Sequence, residues 1–192
     1  MPKRVDHEER RRLIAEAVRR IAADRGLEAV SLGEVASVAG ISKGLVQHYF
    51  PTKDVMLRYA AETLRDQVER RMGTAFAGGV PGLRTMLVAL LPLDEENRAE
   101  ALVANAFLQR ALKDEDIAQR FRIGHAQLRD AVAATIAAAQ AAGELDAGVD
   151  PAPEADLLLA LVSGLGDAVL LGHRTPAEAT SLVDRYLARL SC

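Results

Sequence analysis

Residues 40–53 constrain the fold more than any other stretch, because they read as a tight turn, a short helix and a stop. Gly40 can adopt the positive φ that ends one helix, and Ser42 is a good N-cap for the next. Pro51 ends that helix, because the residue before a proline is disfavoured in the helical region. Apolar and polar side chains share the helix, so one face can be buried while Lys43 stays outside. A short helix that follows a glycine turn and displays hydrogen-bond donors is typical of proteins that place a helix in the major groove of DNA.

Two helices are predicted before this stretch. Residues 6–25 carry an apolar stripe at helical spacing, and Gly26 supplies a stop. Ser31 and Glu34 have the spacing of a capping box, which predicts a second helix over residues 32–39. Three short helices with a glycine turn between the last two indicate a helix-turn-helix bundle.

The rest of the chain is also predicted to be helical. Glycines and prolines between residues 73 and 82 predict a loop, and Pro151 and Pro153 mark another gap. Thr175 and Glu178, with Pro176 between them, predict a capped helix start. We predict helices over residues 52–75, 83–91, 95–113, 114–143, 154–172 and 176–190.

Residues 154–172 are apolar nearly all round, and such a helix is buried on several sides. Together with the last helix, they carry more apolar surface than one chain can cover, so we predict a twofold four-helix dimer interface. The alternative is a monomer with a central hydrophobic helix. The predicted interface residues are Leu157, Leu158, Leu161, Leu165, Val169, Leu182 and Tyr186.

Charge is distributed unevenly along the 192 residues, whose net charge is −3. Residues 1–58 hold 11 Lys and Arg against 8 Asp and Glu, a local net of +3. Phosphate binding depends on the local patch more than on the total, so this balance supports nucleic-acid binding by the start of the chain. The polar start, the lack of a membrane-length apolar run and the single Cys192 lead us to expect a cytoplasmic protein.

No catalytic or metal-binding constellation is evident in the sequence. His7, His48, His125 and His173 are scattered, and none has a ligand spacing with another histidine or with the cysteine. No nucleophile elbow and no phosphate-binding glycine loop is present. We therefore expect neither an enzyme nor a bound metal or cofactor.

Residues 40–53, followed by Asp54 and Leu57, closely resemble the signature of the TetR family of transcriptional regulators. Leu91-Pro92-Leu93-Asp94, residues 141–145 and residues 157–164 resemble the BetI-type C-terminal branch of that family. The resemblance implies an all-α fold of about nine helices. An N-terminal three-helix bundle (1–53) would be linked by a long helix to a domain for ligand binding and dimerisation (54–192).

The resemblance also implies a homodimeric repressor that binds double-stranded DNA and is released from it by a small organic effector. Lys43 can reach guanine and Gln47 can pair with adenine in a bidentate way. Many family members have tyrosine at the position of Gln47, so base preference does not carry over. The predicted DNA-binding residues are Ser31, Ser42, Lys43, Gly44, Leu45, Gln47, His48, Tyr49 and Lys53.

We predict a mostly apolar cavity with a few polar groups in the middle of the second domain (54–192), which would suit such an effector. The alternative for each of its residues is ordinary core. The predicted lining residues are Met86, Leu90, Asn105, Phe107, Gln109, Phe121, His125 and Leu128.

The sequence therefore favours a dimeric, ligand-responsive repressor of a near-palindromic operator. An all-helical small-molecule binding protein without DNA-binding activity is the alternative, and a helical enzyme is a distant third.

Overall fold

The computed structural model describes the backbone of residues 2–73 and 79–191 and the side chains of residues 7–64, 66 and 79–191. All regular secondary structure in these ranges is helical, as the all-α prediction requires. The helices are α1 (Pro2–Arg25), α2 (Leu32–Ala39), α3 (Lys43–Tyr49), α4 (Lys53–Gly73), α5 (Gly79–Ala89), α6 (Glu95–Ala111), α7 (Glu115–Ala141), α8 (Pro151–Leu170) and α9 (Pro176–Leu190).

The predicted helix-turn-helix is confirmed by the conformations of its turn residues. Gly26 and Gly40 have φ values of 77° and 66°, and Gly40 is left-handed where α2 ends. Ser42 Oγ accepts a hydrogen bond from the Leu45 N–H at 3.2 Å and caps α3. Phe50, which precedes a proline, is extended and ends α3. These signals are local, so the short helices occur where the sequence places them.

The capping box predicted from Ser31 and Glu34 forms only in part. Ser31 Oγ accepts from the Glu34 N–H at 3.1 Å. The Glu34 carboxylate instead accepts from Arg25 Nη2 at 2.8 Å, at the end of α1. The box at Thr175 and Glu178 is complete and opens α9 as predicted.

The predicted loop over residues 73–82 is wrong in its second half, because α5 begins at Gly79 and includes Pro81. Residues 74–78 lie outside the described residues. A proline is tolerated in the first helical turn, where its missing N–H has no intrahelical partner to lose. The Glu144 carboxylate accepts from the Val80 N–H at 2.8 Å and caps this helix from a distant part of the chain.

Pro151 and Pro153 likewise lie in the first turn of α8 and do not mark a gap. Asp150 caps this helix, since its side chain accepts a hydrogen bond from the Ala152 N–H at 3.2 Å. The helix therefore begins three residues before the predicted start at residue 154.

The chain packs as two compact units. The first unit comprises residues 1–67 and 99–121, and the second comprises residues 68–98 and 122–192. The first core joins Ile14 and Val18 of α1 to Val46 of α3 and Phe107 of α6. The second core is built from α5, α7, α8 and α9. The first unit thus extends past residue 53. The predicted division into a DNA-binding domain (1–53) and a domain for ligand binding and dimerisation (54–192) remains a prediction.

We expect Gly79→Ala to lower the free energy of unfolding by about 1–3 kcal/mol. Gly79 has a φ of 76°, and an added Cβ would collide with the Glu144 carboxylate that caps α5. The matched control is Gly33→Ala in α2, where an added Cβ finds only Ser31 Oγ at 3.9 Å. That control is expected to stabilise the protein by up to about 1 kcal/mol. Urea unfolding measures both, and equal midpoints for the two variants would contradict the expectation.

Candidate nucleic-acid interface

One buried residue sets the orientation of α3. Val46 has no exposed surface, and the following Phe50 is equally buried. Successive helical residues are rotated by about 100°, so Gly44 lies on the side opposite Val46, between Gln47 and His48. These three residues and Lys43 are exposed. The structure therefore turns one polar face of α3 outward, and this face contains the predicted base-reading residues.

Gly44 leaves the middle of that face without a side chain. A Cβ added there would find only Ser42 Oγ, at 4.0 Å, and the backbone is ordinary helix. A glycine in a helix costs about 1 kcal/mol relative to alanine, and no contact in the fold requires it here. The helix surface is consequently flat at its centre, which allows close approach to a groove.

Ser31 and Ser42 cap α2 and α3, and both are exposed. Each hydroxyl oxygen accepts a helix N–H, while its own O–H can rotate toward another acceptor. A phosphate near either serine would also meet the positive end of a helix dipole. Capping and the predicted phosphate contact are therefore compatible at both residues.

Tyr49 and Lys53 both make contacts within the fold. Tyr49 is half-buried, and its ring meets the rings of His7 and His48 edge-on at centroid distances of 4.6 and 5.3 Å. Lys53 Nζ donates to the Leu27 carbonyl at 3.1 Å. An ammonium group has three donors, so this contact leaves Lys53 able to bind a phosphate. Leu45 is half-buried at the edge of the face.

The Arg11 side chain of α1 lies against Phe50, the residue that follows α3. The Arg11 guanidinium sits 5.2 Å from the ring centroid of Phe50 and 4.1 Å from that of Tyr59. The Tyr59 hydroxyl donates to Glu8 Oε1 at 2.7 Å. Burial and this hydrogen bond raise the pKa of Tyr59 to about 12. Sequence spacing gave no signal for this cluster, because α1 and α4 meet only through the fold.

Alternating charges join α4 to α6 and α7 inside the first unit. Arg110 Nη2 to Asp54 and Arg58 Nη1 to Asp116 are each 2.8 Å, and Arg120 pairs with Glu62. An acidic cluster at residues 114–116 lies where α7 begins, and a carboxylate there can cap the helix. Asp114 does so, since it accepts from the Ile117 N–H at 3.3 Å, but its neighbour Asp116 also binds α4. Two helices, α6 and α7, therefore hold the first half of α4 in place.

Within the described ranges, no group of three or more His, Cys, Asp or Glu side chains could hold a metal ion. No helix in those ranges is long and apolar enough to cross a membrane.

Two family profiles match separate parts of the chain. Residues 14–60 match the profile of bacterial regulatory proteins of the tetR family. Residues 81–191 match the profile of BetI-type transcriptional repressors, C-terminal domain. The chain belongs to the TetR family. It is a helix-turn-helix DNA-binding transcriptional regulator, which confirms the predicted family, fold class and general function.

The chain is also similar to named relatives and to solved structures. The HTH-type transcriptional regulator PksA of Bacillus subtilis is 34% identical over 168 residues, covering 86% of this chain and 80% of PksA. A transcriptional regulator from Rhodococcus has a TM-score of 0.83 at 33% identity, covering 94% of this chain and 95% of its own. A regulator from Saccharomonospora viridis in complex with choline has a TM-score of 0.88 at 24% identity, covering 94% and 96% of the two chains.

The effector-lining residues predicted for this TetR protein fall in both units. Met86 and Phe107 are fully buried, each in the core of its own unit. Leu90, Phe121 and Leu128 are half-buried. The polar members are Asn105, Gln109 and His125, and all three are exposed. His125 Nε2 lies 3.7 Å from Asp156. The lining therefore remains a prediction.

The predicted dimer residues of the TetR protein divide into two groups. Leu158, Leu165 and Val169 are at most 8% exposed, and they pack into the core of their own chain. Leu157 is 56% exposed, and the other three are half-buried: Leu161, Leu182 and Tyr186. The helix is nearly apolar all round, so periodicity could not separate its inward side from its outward side.

We expect Tyr59→Phe to be less stable than the wild type by about 1 kcal/mol below about pH 10, because the hydrogen bond to Glu8 is lost. The folded-state pKa of about 12 lies above that of an unfolded tyrosine. The wild type therefore loses this stability as pH rises from about 10 toward 12, while the variant does not. Denaturant unfolding across that range measures the difference, and parallel pH profiles for the two proteins would contradict it.

Proposed function

We propose that this chain is a homodimeric repressor that binds a near-palindromic operator and is released by a small organic effector. The observation that carries the proposal is the outward face of α3, where Lys43, Gly44 and Gln47 are exposed opposite the buried Val46. Two copies of this helix, related by twofold symmetry, would enter successive major grooves about 34–36 Å apart.

The side chains on this face match the chemistry of base edges and phosphates. Lys43 is a donor for guanine, and Gln47 can both donate to and accept from adenine. Leu45 offers apolar contact to a thymine methyl group. Phosphate contacts position the protein and carry no sequence information. We assign these to residues that flank the face: Ser31, Ser42, Tyr49 and Lys53. His48 lies on the face itself, beside Gly44.

We expect selection from random duplex DNA to enrich an inverted repeat, with binding that weakens steeply as salt increases. Lys43→Ala and Gln47→Ala should each weaken binding to that repeat by about 1–3 kcal/mol per base contact, and Gln47→Ala should relax specificity at one base pair. The charge control is Lys113→Ala, an exposed lysine just after α6, which should bind as the wild type does. Weak binding without enrichment would favour the alternative, a small-molecule binding protein.

The outward side of α8 supports dimerisation. Leu157, Gly164 and Leu171 recur every seven residues along it, and the two leucines are 56% and 70% exposed. Ala160 and Ala168 lie beside them, so the stripe is apolar and its small residues allow another helix to approach closely. An apolar stripe of this length on a regulator of twofold symmetry is suited to a second copy of itself.

We expect Leu157→Glu to be monomeric in light scattering, because the change places two buried charges near the twofold axis. The fold of each chain should be unchanged, since the Leu157 side chain is more than half exposed within it. Leu112→Glu is the control, because Leu112 is 75% exposed just after α6. If Leu157→Glu and Leu112→Glu are both dimeric, the interface lies elsewhere.

The effector part of the proposal is supported by the BetI-type profile over residues 81–191 and by the choline complex of the Saccharomonospora viridis regulator. An effector shifts the population off DNA only if it binds a non-binding conformation better than the DNA-bound one. A compound screen read out as release of the selected operator tests this, with choline as the first probe. We also infer that the protein works without catalysis or cofactor, and in the cytoplasm, where its DNA is.

A further inference from the structure

Helix α1 reaches the DNA-facing surface through one exposed histidine. The His7 ring lies 4.6 Å from the Tyr49 ring, measured between centroids, at an interplanar angle of 62°. One turn further along the same face of α1, Arg11 covers Phe50 and Tyr59. The second turn of α1 is thereby held against the C-terminal end of α3.

We propose that His7 is a further DNA-backbone contact that acts beside Tyr49 and adds a proton-dependent charge to operator binding. This inference rests on the proposed function, which puts the Tyr49 hydroxyl at a phosphate. Successive phosphates of one strand are spaced by about 3.4 Å along the duplex axis. Because the His7 and Tyr49 rings are in contact, the two side chains would contact the same phosphate or two neighbouring phosphates.

The chemistry of imidazole suits this place. A neutral imidazole donates one N–H, while an imidazolium donates two and carries a positive charge. Imidazole side chains change charge between about pH 5 and 8. A phosphate favours the protonated form, so binding takes up protons, and affinity rises as pH falls.

The charged and titratable groups on the elements that meet at His7 include Glu8, Arg10 and Arg11 on α1 and His48 and Tyr49 on α3. Glu8 already accepts from the Tyr59 hydroxyl and lies 3.7 Å from Arg12 Nε. The Arg11 guanidinium is stacked on two rings. His48 is exposed on α3 itself, and it carries the second imidazole on this surface.

The experiment measures affinity for the selected operator by fluorescence anisotropy at about pH 6 and about pH 8, each over a range of salt concentrations. The wild type should bind about tenfold or more tightly at the lower pH, because each protomer gains a charge-assisted contact. Its salt slope should steepen by roughly 0.9 for each protomer at the lower pH.

Two substitutions separate binding from packing. His7→Gln keeps a neutral donor and should abolish the pH dependence of both affinity and salt slope that His7 contributes. His7→Phe keeps the edge-on ring contact with Tyr49 but cannot donate, so it should bind more weakly than the wild type at both pH values. His173→Gln, an exposed histidine between α8 and α9, should behave as the wild type does.

Three results would overturn the assignment. His7→Phe could bind as tightly as the wild type at about pH 6, which would mean that His7 only packs. The pH dependence could persist in His7→Gln and disappear in His48→Gln, which would assign it to α3. The wild type could show no pH dependence at all. Failure of the wild type to select any operator would instead reject the proposed function, so the two failures are distinguishable.

Discussion

Burial of Val46 in the core of the first unit determines which side of α3 faces outward. A seven-residue helix has only two turns, so one fully buried residue and the adjoining Phe50 are enough to fix its rotation. Every α3 residue of the candidate interface takes its direction from this packing, including the exposed Gly44. A polar residue at position 46 would leave an unpaired group in the core and release α3 from its orientation.

The helix that follows α3 is held by charge as well as by apolar packing. Arg58 and its neighbours on α4 pair with side chains of α6 and α7 within the first unit. Exposed ion pairs contribute little singly, about 0.2–1 kcal/mol, and this set has both partners partly solvated. Together they tie α4 to α6 and α7 in one position. That position determines where the helix-turn-helix sits relative to α6.

Local signals predicted much of the fold, and distant contacts account for most of the errors. Gly40 and Ser42 act only on the adjoining backbone, because Gly40 ends α2 and Ser42 caps α3. The position of α3 could therefore be predicted from sequence alone. The start of α5 could not, because its cap is Glu144, 64 positions beyond Val80. Glu34 has the spacing for a capping box, yet an arginine nine positions earlier binds its carboxylate.

The candidate sites show the same distinction. The exposed residues of α3 follow from one helical period, whereas the support from Arg11 and the position of His7 depend on how α1 crosses α3. On α8, Leu157 and Leu158 are chemically identical neighbours, and only the packing of the second unit sends one outward and the other inward. Periodicity cannot make that choice in a helix without a polar face.

Helix α3 is too short to persist on its own, since isolated helices of fewer than about 12 residues are marginal in water. The outward face of α3 therefore exists only while the first unit is folded. Gly44, at the centre of that face, weakens the helix further. Operator DNA bound at the candidate interface would require the folded unit and so would stabilise it by mass action. In a cell, regulator molecules on their operators would be shielded from proteases that act on the opened chain, and the unbound pool would turn over faster.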